Sequence, residues 1–224
     1  MYSPLQKLSA EALGTALLLA IVIGSGIMGD ALSSDDAVAL LGNTVATGAG
    51  LVVLILIFGP VSGAHFNPAV SFSFFLQKQL SLKMMLAYIL AQIIGAIMGV
   101  MLAHGMFELE LIQASVKTRD SFGEGIAEII ATFALVLTII ATVRHRPEST
   151  PYAVGLIITA GYWYTSSTSF ANPAVALART FSNTFAGIEM GSIPLFIGAQ
   201  FVGAAIATGL GLWFTTPALR EAKG

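Results

Sequence analysis

Residues 64–70 read Ala64-His65-Phe66-Asn67-Pro68-Ala69-Val70, and residues 169–175 read Ser169-Phe170-Ala171-Asn172-Pro173-Ala174-Val175. The repeated Asn-Pro-Ala-Val decides the fold. Proline is favoured at the first helical position, where its missing N–H would have no partner anyway. Asparagine is a good N-cap, because its side-chain oxygen accepts from the free amides of the first turn. Each copy therefore starts a helix. The stretches that follow, 69–76 and 174–181, are too short to cross a bilayer, since a spanning helix needs about 20 apolar residues. Each copy reads as a half-helix dipping in from one side. Irregular backbone at membrane depth is tolerated where it lines a water-filled cavity, so two half-helix N-termini meeting at the midplane predict a pore.

The rest of the chain supplies the membrane segments. Of 224 residues, 56% are hydrophobic and 10% charged, with a net charge of -2 and no cysteine; the mean hydropathy is +0.85. A soluble domain is about a quarter charged. The composition excludes a soluble globular protein, a disordered chain and a nucleic-acid binder, and the missing cysteines exclude disulfides and thiol metal sites. Apolar runs cover Leu8–Met28, Val38–Phe58, Leu82–His104, Phe122–Val143, Pro151–Tyr164 and Ile193–Phe214, six spans of which the fifth is short. The first is too long for a signal-peptide core and reads as retained. The connection 108–120 reads as the longest solvent loop. Lys7, Lys78, Lys83, Arg144, Arg146, Arg220 and Lys223 fall on one face if the spans alternate, which predicts cytoplasmic termini and, in a bacterium, the inner (plasma) membrane.

The whole chain, 1–224, reads as a single membrane channel domain built from two repeats, about 5–105 and 121–216. The Asn-Pro-Ala copies lie 105 residues apart; Glu11 in Ala10–Thr15 matches Glu128 in Ala127–Thr132, and Gln92 matches Gln200. Each half holds three spans, so the halves insert with opposite orientation, an inverted repeat. Glu11 and Glu128 are intramembrane carboxyl groups. Such groups mark proton relays or ion sites by default, but their symmetric placement points to accepting amides of the neighbouring re-entrant loops.

On these motifs the chain resembles the aquaporin (major intrinsic protein) family from about Leu8 to Phe214. The resemblance implies an all-α membrane fold of six transmembrane helices and two re-entrant half-helices, one pore per subunit, a homotetramer in the bilayer, and passage of water and small neutral solutes. It implies a central constriction at Asn67, Pro68, Ala69, Asn172, Pro173 and Ala174, with both asparagine amides aimed into the lumen. Backbone carbonyls of 62–66 and 165–171 are expected to form an acceptor ladder. Glu11, Glu128, Gln92 and Gln200 support the loops, and His65 lines the cytoplasmic vestibule.

The chain departs from water channels at the outer filter. Val175 follows the second Asn-Pro-Ala, where most relatives carry arginine. The other filter positions are Thr47, Ser169 and, on the fifth span, either Ala160 or Tyr162, depending on how the connection is counted. A filter without arginine or histidine is wide and half-polar, which suits glycerol, arsenous acid, other metalloid hydroxides and urea. It is similar to bacterial aquaglyceroporins associated with arsenic resistance. Arg179, one turn beyond Val175, is expected to reach back over the outer mouth or, alternatively, to snorkel to the periplasmic surface or pair with an acid such as Glu189. His104 and His145 read as solvated, Tyr2, Tyr88 and Trp213 as interface anchors, and Gly95, Gly99, Gly203 and Gly211 as close-packing positions. No catalytic constellation, metal-ligand spacing or cofactor motif is legible, so the chain does not read as an enzyme. Two alternatives stay open: an ion-coupled secondary transporter of a small solute, and a closed-pore structural membrane protein with Tyr162 in the lumen.

Overall fold

The computed structural model describes residues 2–215, so Arg220, Lys223 and residue 216 of the second repeat lie outside the described residues. The elements are α1 (Pro4–Leu32), α2 (Asp36–Ser62), α3 (Pro68–Leu76), α4 (Leu82–Met106), α5 (Phe122–His145), α6 (Thr150–Tyr164), α7 (Pro173–Arg179) and α8 (Ile193–Thr215). All regular structure among the described residues is helical. Five helices are long and apolar enough to cross a membrane. The sixth, α6, has only 15 residues and is extended at its start by the 3-10 turn Pro147–Ser149.

Both halves open alike. Ser3 caps α1 and Ser121 caps α5, each in a reciprocal capping box, with Gln6 and Glu124 respectively. Helix α1 then packs along α4, and α5 along α8. Glycines permit the contact: a Cβ on Gly95 would strike the Ala12 carbonyl, one on Gly99 the Ala16 carbonyl, and one on Gly203 the Ile129 carbonyl. Without a hydrophobic drive between helices in lipid, such close backbone approach is what holds them. Large apolar side chains such as Leu13, Leu90, Ile130 and Val202 face outward, as a lipid-facing surface requires.

The half-helices α3 and α7 start where the motifs place them. Asn67 Oδ1 accepts from Ala69 N at 2.8 Å, and Asn172 Oδ1 from Ala174 N at 3.0 Å and Val175 N at 3.3 Å. Helix α7 ends at Arg179, two residues before the expected limit, because the Phe181 and Ser182 amides turn back onto Ala178 and Arg179.

The stretch between α4 and α5 is not a free loop. It runs back over the end of α7, with Gln113 N bonded to Phe181 O and Ser115 N to Thr180 O (3.0 Å each), and Glu189 N to Lys117 O at 2.8 Å. That path buries His104, whose Nδ1 lies 3.0 Å from Leu111 O and whose Nε2 lies 2.9 Å from Ser182 Oγ. His104 is thus a structural tie rather than a solvated residue. Tyr88 is likewise buried and not an interface anchor, whereas Tyr2 and Trp213 are exposed.

Candidate functional site: the central pore

The segments leading into α3 and α7 are irregular and contorted. Gly63, Ala64 and Phe66 have positive φ (92°, 49° and 49°), as do Thr168, Ser169 and Ala171 (61°, 53° and 47°). For residues with a Cβ, each such conformation costs about 1–3 kcal/mol and persists only when its surroundings over-determine it.

The surroundings here are two buried carboxyl groups. Glu11 accepts from Ser62 Oγ (2.6 Å), His65 N (3.0 Å), Phe66 N (2.7 Å) and Gln92 Nε2 (2.8 Å). Glu128 accepts from Ser167 Oγ (2.6 Å), Phe170 N (2.9 Å), Ala171 N (2.9 Å) and Gln200 Nε2 (2.6 Å). Every contact is a donor, so each group acts as an acceptor only. Ser62 and Ser167 lie 105 residues apart, the same spacing as the asparagines. The Oε1 atoms of Gln92 and Gln200 have no partner among the described residues.

The asparagine amides are partly spent on each other's half. Asn67 Nδ2 donates to Ala171 O at 2.7 Å, and Asn172 Nδ2 donates to Phe66 O at 2.8 Å. Each amide has a second N–H, and both residues line the cavity. One N–H of each amide is thus spent on the opposite loop, and one is left over. The carbonyl ladder is also shorter than expected: Ser62 O accepts from Tyr88 Oη, and Ser167 O from Arg119 Nη1. The remaining cavity-lining carbonyl positions include Gly63, Ala64 and His65 on one side and Ser169 and Phe170 on the other.

The cavity offers about 100 Å³ to water-sized molecules, and Thr47, Tyr162, Ser169 and Val175 all line it. Ala160 does not: it lies on the exposed face of α6. Of the two helix-six positions, Tyr162 faces the cavity, and its hydroxyl donates to Thr47 Oγ1 at 3.3 Å. Residues two apart on a helix lie about 200° apart around its axis, so with Tyr162 facing the cavity Ala160 faces away.

His65 lines the cavity near its other end, with its ring 4.4 Å from Phe74 and 5.3 Å from Tyr88. Its Nδ1 lies 3.0 Å from Ser71 Oγ, which itself accepts from Gln92 Nε2 at 3.0 Å.

Arg179 is buried, lines the cavity and lies with its guanidinium 3.4 Å from the Phe170 ring centroid. Its Nε donates to Ala186 O. It does not pair with Glu189, whose carboxylate accepts from Thr118 Oγ1 at 2.8 Å. Arg119, unremarked in the sequence, approaches the same ring at 5.2 Å and donates from Nε to Gly187 O at 3.2 Å. Among the described residues no group of three or more His, Cys, Asp or Glu is placed to hold a metal ion.

The family model described as Major intrinsic protein matches residues 2–210. A protein named aquaglyceroporin AqpS from Rhizobium meliloti (strain 1021) is 56% identical over 93% of this chain and 90% of its own length. Aquaporin-1 from Homo sapiens is 30% identical over 88% of this chain and 77% of its own length. Among solved structures, the aquaglyceroporin from Plasmodium falciparum superposes with a TM-score of 0.74 at 24% identity, covering 93% of this chain and 95% of that one, a likeness of fold.

Proposed function

The chain belongs to the major intrinsic protein family, as a passive membrane channel rather than an enzyme, and from that premise we propose that it admits glycerol, arsenous acid and other small metalloid hydroxides as well as water. The observation that carries this reading is Val175 on the cavity wall beside Thr47 and Ser169. Pore diameter, lining donors and acceptors, and electrostatic barriers set selectivity in such pores. An isopropyl group in place of a guanidinium widens the opening and removes fixed donors. Hydroxyls on one side and apolar carbon on the other match a polyol, which has a carbon face and a hydroxyl face. Arsenous acid is neutral at pH 7 and presents three hydroxyls, so it needs no charge in the filter.

In this reading the second N–H of Asn67 and of Asn172 meets passing oxygens at the centre, and Arg179 guards the outer mouth against cations. The name aquaglyceroporin borne by the Rhizobium meliloti relative supports the polyol assignment. The basic residues Lys7, Lys78, Lys83, Arg144 and Arg146 on one face support cytoplasmic termini, and we place the chain in a bacterial inner membrane as a homotetramer.

Stopped-flow swelling of proteoliposomes in glycerol, urea and arsenous acid, compared with water, tests the reading. All three solutes are expected to enter faster than in protein-free vesicles. Val175→Arg is expected to cut solute entry by about tenfold while sparing water, the size of effect one misplaced filter group produces. Unchanged solute flux at equal folded protein overturns the filter assignment. The bond between Tyr162 and Thr47 favours one competing reading, a pore closed by the tyrosine ring; no flux of any solute or water in the wild type, restored by Tyr162→Ala, would establish it.

A further inference from the structure

The end of the cavity that Arg179 lines gathers cations with no carboxylate in contact among the described residues, the nearby Glu128 being spent on the amides of its own loop. Arg179 is 3% exposed and Arg119 is 9% exposed. Among the described residues no carboxylate oxygen lies within 4.0 Å of either guanidinium; their partners are the carbonyls of Ala186, Gly187 and Ser167 and the face of Phe170. Lys117 enters from the same segment as Arg119, its Nζ donating to Phe185 O at 3.0 Å. Burial, and then the neighbouring Arg119 and Arg179, hold the Lys117 amine below the usual lysine range against the opposing pull of Asp36 and Asp30. The cavity wall itself contains no Asp or Glu.

The three cations are not equivalent. Arg119 spends Nε and Nη1 on carbonyls behind the wall. Arg179 spends only Nε, and it lines the cavity. Its two Nη groups find no acceptor among the described residues. A guanidinium whose Nη groups open onto a cavity while the residue as a whole is buried can take a carboxylate or tetrahedral oxyanion through two parallel bonds. Carbonyls and an aromatic face fix the guanidinium without neutralising it, whereas a carboxylate would have cancelled the charge.

We propose that the outer mouth is a binding site for a small oxyanion, held by the Nη groups of Arg179 with Arg119 and Lys117 supplying the surrounding positive field. This goes beyond the channel reading, since an anion seated there stands in the path of a neutral solute. Charge at the mouth then does two things: it turns cations away, and it lets an external oxyanion throttle the flux.

The test uses the full chain in detergent, with inorganic phosphate as the probe and chloride holding ionic strength constant. A ligand that binds only the folded protein raises the unfolding temperature in a saturable way. Such a rise is expected for the wild type, with apparent affinity weakened by about tenfold or more in Arg179→Gln and by less in Arg179→Lys, which keeps the charge and loses the fork. If Arg179→Gln does not fold, Arg179→Lys carries the comparison. No saturable rise, or the same rise in wild type and variants, overturns the site. In proteoliposomes, external phosphate is expected to slow glycerol entry along the same saturation curve. If glycerol does not enter at all, the channel reading fails while the thermal measurement still decides the anion site.

Discussion

The two re-entrant segments share a skeleton and differ in what decorates it. Asn67, Ser62, Val70 and their 105-residue counterparts Asn172, Ser167 and Val175 are identical. Around them the same spatial slots hold different chemistry. The ring that follows the loop's tightest bend is His65 in one half and Phe170 in the other. Against His65 stand Phe74 at 4.4 Å and Tyr88 at 5.3 Å; against Phe170 stand Arg179 at 3.4 Å and Phe196 at 5.0 Å. Phe74 and Arg179 are also 105 residues apart, and Tyr88 and Phe196 are 108 apart, the spacing of Gln92 and Gln200. The vestibule at the His65 end thus pairs an imidazole with an aromatic, and the one at the Phe170 end pairs an aromatic with a guanidinium. The symmetric positions carry backbone support, and the positions where symmetry fails carry the vestibule chemistry.

One substitution exposes its own compensation. Tyr88 Oη satisfies the Ser62 carbonyl at 2.8 Å. Its counterpart Phe196 has no hydroxyl, and the equivalent Ser167 carbonyl is met instead by Arg119 Nη1 at 3.5 Å. An arginine from outside the repeat stands in for a missing phenol, and in doing so brings a second positive charge to the outer mouth.

The sharpest way to break the comparison is to remove the shared supports. Glu11→Leu and Glu128→Leu each strand two backbone amides, a serine hydroxyl and a glutamine amide. At about 1–3 kcal/mol for each buried donor left unsatisfied, each variant is expected to lose on the order of 4 kcal/mol or more, read as failure to assemble or a collapsed unfolding temperature. Near-wild-type behaviour of either variant would show that the two supports are not equivalent.

Asn67→Ala and Asn172→Ala come next. Each removes a cap, worth about 1 kcal/mol, and a bond to the opposite loop, worth about 1 kcal/mol. Losses of about 2 kcal/mol are expected, larger for Asn172 because it caps two amides. Denaturation in a mild detergent checks the order.

The smallest effect sharpens the comparison most. Tyr88→Phe is expected to cost about 1 kcal/mol by leaving the Ser62 carbonyl bare. Phe196→Tyr is expected to change little in the wild type but to restore about 1 kcal/mol in an Arg119→Gln background, a coupling that a double-mutant cycle isolates. Additive effects would mean that the phenol and the arginine do not share the carbonyl.

What the sequence made legible follows the repeat. Spans, half-helix starts and the pairing of Glu11 with Glu128 recur at nearly constant spacing, so a second copy vouches for the first. Ala160 against Tyr162 could not be settled by counting back from Asn172. The intervening backbone departs from regular geometry at Thr168, Ser169 and Ala171, and residue number ceases to measure distance along it. Arg119 and the burial of His104 depend on the segment after α4 folding back over α7. That segment has no counterpart in the other half and no periodic pattern to read.

The crossed asparagine bonds carry a consequence for how the chain is made. Phe66 O and Asn67 Nδ2 find their partners at Asn172 and Ala171, 106 and 104 residues later. During synthesis the first half enters the bilayer with those two groups unmatched, and they stay so until the second half arrives. The last joint to close is therefore the central one, and a ribosome must deliver most of the chain before either hairpin can settle. Products truncated before Ala171 lack that joint altogether, and leave the Phe66 carbonyl and one Asn67 N–H without the partners the full chain supplies.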